Sequence, residues 1–160
     1  MTFPKQAQKH SPTLYIMQGI PGSGKSTLAN MILRQTMVLH KTKRVAICST
    51  DSFHINPETN VFEYKPELAA IYHAQNIVQA LAFMEKGYTV IVDNTNIQRW
   101  EAKPYVACAI KLGIPIVFIR VKGNFPNIHG VPEDVIQRMK LRMEDLSVEL
   151  CLQAVSPNEK

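Results

Sequence analysis

Several things are scarce in this chain of 160 residues, and each scarcity closes off a class of protein. There are only three cysteines, Cys48, Cys108 and Cys151, odd in number, far apart and set in apolar surroundings. That excludes a disulfide framework and supports neither a zinc site nor a catalytic thiol. It predicts buried free thiols in a reducing, intracellular compartment, cytoplasmic or nuclear. Apolar runs of membrane-spanning length are missing, so no membrane partner is expected. Met1 to Pro12 carry Lys5 and Lys9 but no hydrophobic stretch like that of a secretion signal. With no repeat and no interdomain linker, the reading is one domain over residues 13–153, between loose tails at 1–12 and 154–160. Acidic residues are outnumbered, 13 against 18 basic, for a formal charge of +5. This suits an anionic partner, whether nucleotide, nucleic acid or phosphorylated metabolite, without choosing among them. The basic residues from Arg34 to Arg44 read as a solvated helix end and loop.

Glycine is scarce too, seven in all, yet three of the seven fall in Gly19-Ile20-Pro21-Gly22-Ser23-Gly24-Lys25-Ser26-Thr27. This stretch fits G-x-x-x-x-G-K-[S/T]. It follows the apolar run Leu14 to Met17 and opens a helical pattern, the context a phosphate-binding loop requires. Gly22 and Gly24 can take positive φ, turning backbone N–H groups inward as a nest for phosphate oxygens. Lys25 supplies a point charge for the β- and γ-phosphates of ATP, Ser26 a hydroxyl for Mg²⁺, and the following helix the positive end of its dipole.

Strand and helix patterns then alternate. Leu28, Met31, Ile32 and Gln35 recur at helical spacing to about Met37, and Val45 to Cys48 reads as a strand ending in Ser49-Thr50-Asp51. After an irregular stretch rich in turn residues, Pro66-Glu67 open a helix with Leu68, Ile71, Val78, Leu81 and Ala82 on one face, closed by Lys86-Gly87. Thr89 to Val92 is a continuous apolar strand ending in Asp93-Asn94-Thr95-Asn96, with Asn96 as cap of the next helix. That helix runs to Gly113, with Pro104 expected to kink or divide it. A fourth strand covers Ile116 to Val121, and Pro132 at an N1 position starts the last helix. Such alternation predicts an α/β fold with a parallel sheet and helices on both faces. Ligands should bind beyond the carboxyl ends of the strands, where the loop, Thr50-Asp51 and Asp93-Asn94-Thr95 converge.

A phosphoryl-transfer site needs a donor cradle, a metal and a group that takes the acceptor proton. Asp51 is the candidate base; equally, an Asp there is an ordinary turn or cap residue. Asp93 reads as a metal-holding carboxylate opposite Ser26, or as a residue that orients another side chain. His54, three residues past Asp51, either reaches the same cleft or is a structural turn histidine.

Together, the loop, Ser49-Thr50-Asp51-Ser52-Phe53, His73-Ala74-Gln75-Asn76, Val92-Asp93-Asn94-Thr95-Asn96 and Asn127-Ile128-His129-Gly130-Val131-Pro132 resemble one family. It is the P-loop kinase domain of phage-type polynucleotide 5′-hydroxyl kinases, more closely that of their relatives in animal ubiquitin-ligase-binding proteins. The likeness covers roughly residues 13 to 146. It implies a three-layer P-loop NTPase of nucleoside-monophosphate-kinase-like type, with a mostly parallel sheet of four to five strands. It further implies Lys25 and Ser26 as phosphate and metal residues, Asp51 as general base and Asp93 as an acidic residue at the acceptor side, using ATP, Mg²⁺ and a 5′-OH nucleic acid end.

Two positions depart from the pattern. Where the phage-type enzymes carry an arginine three residues after the base, this chain has His54, and at the lid arginine it has Pro126. Neither supplies a guanidinium fork for phosphate. Lys122, Arg120, Arg138 and Arg142 are the candidate replacements, with Arg138 preferred because it is nearer the lid, and His54 is a candidate partner of Asp93. Three readings follow: a polynucleotide 5′-OH kinase, a kinase of a small hydroxyl-bearing molecule, and a nucleotide-binding module with little or no phosphoryl transfer.

Overall fold

The computed structural model describes residues 10–159, so most of the tail read over residues 1–12, and the last residue of the other tail, lie outside the described residues. Four strands form one parallel sheet: β1 (Leu14–Gln18), β2 (Val45–Cys48), β3 (Thr89–Val92) and β4 (Ile116–Arg120). Their spatial order is β2-β3-β1-β4. β1 is therefore central, with Leu14 beside both Val90 and Ile116.

The alternation of side chains across each strand builds two cores. Leu14, Ile16, Val90 and Val92 face one way, onto α2 (Ala69–Glu85) through Ala80 and Met84 and onto α3 (Arg99–Leu112) through Ala102, Tyr105, Val106 and Ala109. Met17 and Ile91 face the other way and meet Ala29, Leu28 and Ile32 of α1 (Lys25–Leu39). The three-layer α/β expectation holds, with a sheet of four strands. β3 is buried at every position, as its unbroken apolar run requires. Cys48 and Cys151 are buried free thiols and Cys108 is half-buried. Burial pushes the Cys48 thiol up to about 12, so it stays protonated and inert.

Several local expectations are corrected. In α2 the row Asn76, Ala80 and Met84 faces the core, whereas Ile71 and Val78 are exposed. At 100° per residue those two lie well round the helix from that row. Met31 of α1 is exposed for a similar reason. Proline at position 104 does not divide α3, which runs unbroken from Arg99 to Leu112. The start of α3 is set by Gln98, whose N–H donates to Glu101 Oε2 at 2.7 Å, and not by Asn96. Pro132 precedes the first residue of α4 (Glu133–Arg142), its carbonyl accepting from Val135 and Ile136. Nor is α4 the last helix: α5 (Val148–Gln153) follows, with Ser147 Oγ accepting from Leu150 N, and it packs on α3.

Asn96 has a different task. It is fully buried in the left-handed region at φ 43°, and its Nδ2 donates to the Met17 carbonyl at 2.7 Å. Its own carbonyl accepts from Gln18 Nε2 at 3.0 Å, so the ends of β1 and β3 are bound together. Asn96→Ala leaves the Met17 carbonyl unpaired and forces alanine into a left-handed conformation, for a total of about 2–4 kcal/mol. Urea unfolding should show that loss as a lower midpoint at unchanged slope.

Candidate active site

The loop after β1 closes tightly. Ser23 N donates to the Ile20 carbonyl, and Gly22 and Gly24 take φ of 80° and 93°. These glycines are also required from outside. The segment following β4 lies against the loop, with Gly123 N donating to the Ser23 carbonyl at 3.0 Å and Phe125 N to the Gly22 carbonyl at 2.8 Å. A Cβ on Gly22 would sit 2.7 Å from the Phe125 carbonyl, and one on Gly24 would sit 3.1 Å from its ring. Gly19 N donates to the Thr95 carbonyl, anchoring the loop to the end of β3. Ile20 and Pro21 complete the turn, and Ser26 and Thr27 stand exposed in the first turn of α1.

Lys25, at the start of α1, donates from Nζ to the Ile20 carbonyl at 2.9 Å, so its ammonium lies over its own loop. Burial lowers its pKa against the attraction of Asp93 and then Asp51. The three groups therefore share one electrostatic field, as their places at the ends of β1, β2 and β3 require. Asp93 is buried, and its N–H donates to the Cys48 carbonyl. Burial raises its carboxyl above the usual range, opposed by the nearby Ser26 hydroxyl and the Lys25 ammonium. Asp51 lies half-exposed in a 3-10 turn, Thr50–His54, which is tied to β3 by Thr50 N donating to Asn94 Oδ1 at 2.9 Å.

Asp93 Oδ1 is buried and has no hydrogen-bond partner. An orphaned carboxylate oxygen beside a serine hydroxyl fits Mg²⁺, which takes hard oxygen donors and few protein ligands. Among the described residues there is no cluster of three or more His, Cys, Asp or Glu that could hold a metal by itself.

The other candidates lie elsewhere. His54 is buried among Phe62, Tyr64 and Tyr72, ring centroids 5.8, 5.0 and 4.8 Å away, and its Nδ1 accepts from Lys65 N. It packs there instead of pairing with Asp93. Arg138 pairs with Asp134 at 2.9 Å on its own helix. Arg120 is committed below the site, donating from Nε to Gln18 Oε1 at 2.7 Å and pairing with Asp145 at 2.9 Å. Lys122 directly precedes Gly123 at the loop crossing. The imidazole that does reach the site is His129, whose Nε2 is 3.5 Å from Asp51 Oδ2. Its place in the Asn-x-His-Gly motif was the only sequence signal for it.

The family model described as an AAA domain matches residues 14–124, more than half the chain. The chain belongs to this family. It is 33% identical to NEDD4-binding protein 2 of Homo sapiens, over 79% of this chain and 7% of that protein, so it spans only a small part of its relative. Among solved structures, the Pnkp1/Rnl/Hen1 RNA repair complex matches with a TM-score of 0.60 at 20% identity, covering 88% of this chain and 47% of the other. Kti12 of Chaetomium thermophilum, in complex with ADP-AlF3, matches with a TM-score of 0.62 at 14% identity, covering 82% and 80%. The P-loop kinase-like fold and the family resemblance drawn from the motifs both hold. Among the described residues no helix is long and apolar enough to cross a membrane.

The raised pKa of Asp93 predicts a stability cost. Protonation is favoured in the folded chain, so this group's contribution to stability is greatest below the unfolded value of 3.8 and declines as pH rises through the folded one. At pH 7, where the unfolded carboxyl is ionised, burial of this group opposes folding until a ligand takes it up. Asp93→Asn should therefore raise the melting temperature of the nucleotide-free protein by about a few degrees at pH 7. Differential scanning calorimetry across pH should show that gain shrinking towards pH 3.8.

Proposed function

We propose that this domain transfers the γ-phosphate of ATP to a hydroxyl group, with the 5′-OH of a polynucleotide as the acceptor. The observation that carries the reading is the convergence of Lys25, Asp93 and Asp51 on one edge of the sheet, around a glycine loop with the required backbone. The loop N–H groups and Lys25 would hold the donor phosphates. Ser26 and Asp93 would hold Mg²⁺, which offsets phosphate charge when bound. Asp51 would accept the acceptor's proton as its oxygen bonds to the γ-phosphorus and the bond to the β–γ bridging oxygen breaks, releasing ADP. The resemblance to polynucleotide kinases, and the fold likeness to a structure from an RNA repair complex, support nucleic acid over other hydroxyls.

A second reading, nucleotide binding with little or no transfer, is favoured by one specific observation. Pro126 occupies the lid-arginine position, while Arg120 and Arg138 are paired away from the loop. Of the four candidate replacements, that leaves Lys122 and Arg142 to face transferring phosphate. Labelled ATP with 5′-OH DNA and RNA oligomers separates the two readings. The kinase reading expects end-labelling that falls about 10²- to 10⁴-fold in Asp51→Asn while nucleotide affinity, measured by calorimetry, is kept. Binding without labelling of any oligomer supports the second reading, and labelling of small hydroxyl compounds alone redirects the first to a metabolite.

A further inference from the structure

We propose that His129 is a positioning residue for Asp51, carried to it by the segment that crosses the phosphate-binding loop. The inference rests on the kinase reading and adds to it a link between the donor and acceptor halves of the site.

The segment is fixed at its near end by the Gly123 and Phe125 N–H groups on the Ser23 and Gly22 carbonyls. Farther on, Asn127 Nδ2 donates to the Val131 carbonyl at 2.8 Å and Gly130 N to the Asn127 carbonyl at 3.3 Å, closing a compact turn. Gly130 takes φ 63°, which lets the chain reverse there. The turn delivers His129 to two contacts. Its ring lies on Phe62, centroids 4.5 Å apart, and its Nε2 is 3.5 Å from Asp51 Oδ2. Phe62 belongs to the excursion between β2 and α2, where it bridges to Ile55. His129 thus joins the segment lying on the donor loop to the elements that carry the base.

Asp51 needs such a partner. Its side chain is 56% exposed, on a short turn, and among the described residues His129 is the one basic side chain within ion-pair distance. An exposed carboxylate samples several rotamers, and a base must hold one oxygen towards the acceptor hydroxyl. An imidazole N–H on Oδ2 fixes the carboxylate and leaves Oδ1 for the proton. A pair this exposed adds little to folding stability, so its effect falls on orientation. His54, buried in its aromatic cluster, leaves this role to His129.

The test uses the full chain. His129→Ala should lower kcat about 10- to 100-fold, with KM for ATP and the melting temperature unchanged. His129→Gln, which keeps an N–H near the Nε2 position, should recover part of the loss. The double variant Asp51→Asn/His129→Ala should be no slower than Asp51→Asn, because a residue acting through the base has nothing left to position. Wild-type kcat in His129→Ala, or multiplicative loss in the double variant, overturns the proposal. A second readout needs no turnover: the ¹⁵N resonance of His129 Nε2 should shift on Asp51→Asn substitution in the nucleotide-free protein. An unchanged resonance overturns the pairing itself. Failure of the wild type to phosphorylate any hydroxyl would instead overturn the kinase reading, which that resonance does not report.

Discussion

The carboxyl edge of the sheet depends on how the end of β1 is tied to the end of β3. A phosphate-binding loop has almost no side chains with which to pack, so its position is inherited from the strand it leaves. Here Asn96 donates to the Met17 carbonyl, Gln18 donates to the Asn96 carbonyl, and Gly19 donates to Thr95. Gln18 also donates to the Glu144 carbonyl at 2.7 Å, which draws the chain after α4 into the same knot. Arg120 closes it from β4. An arginine that counting charges would offer to phosphate is thereby used to hold the strands beneath it.

Two carboxylates stand above that knot in different environments. Asp93 is buried at the end of a fully buried strand, and its carboxyl is pushed up by lack of water. Asp51 stands half in solvent on a short turn, beside an imidazole. Two titratable groups in such different surroundings at one edge of the sheet form the pattern of a functional site. The buried group is a local liability in the empty protein, and the parallel sheet with its two apolar faces is what supports it.

The glycines of the loop answer to two demands at once. Positive φ at positions 22 and 24 shapes the nest, and the approach of Phe125 leaves no room for a side chain at the first and crowds the second. The segment after β4 is accordingly part of the loop's construction, and the same segment brings His129 to Asp51. The loop and Asp51 are connected through the twelve residues 121–132, which hold no regular secondary structure.

Local features were legible in the chain itself. The loop motif, the unbroken apolar run of β3 and the alternation of strand with helix specify a parallel sheet with polar strand ends on one edge, because periodicity and turn chemistry act over a few residues. α5 leaves no periodic signal, because a helix of six residues, Val148–Gln153, has too few turns to show one, although Ser147 marks its start. Which face of α2 is buried, and whether a polar residue is a cap, a strut or a ligand, are decided by partners far away in sequence. Asn96 meets Met17 across 79 positions and Arg120 meets Gln18 across 102. His54 and His129 are both histidines near turns, set apart in the chain only by the motif that holds the second. Packing sends the first among aromatic rings and the second to Asp51, since hydrophobic and polar contacts alike depend on what the fold places within a few ångströms.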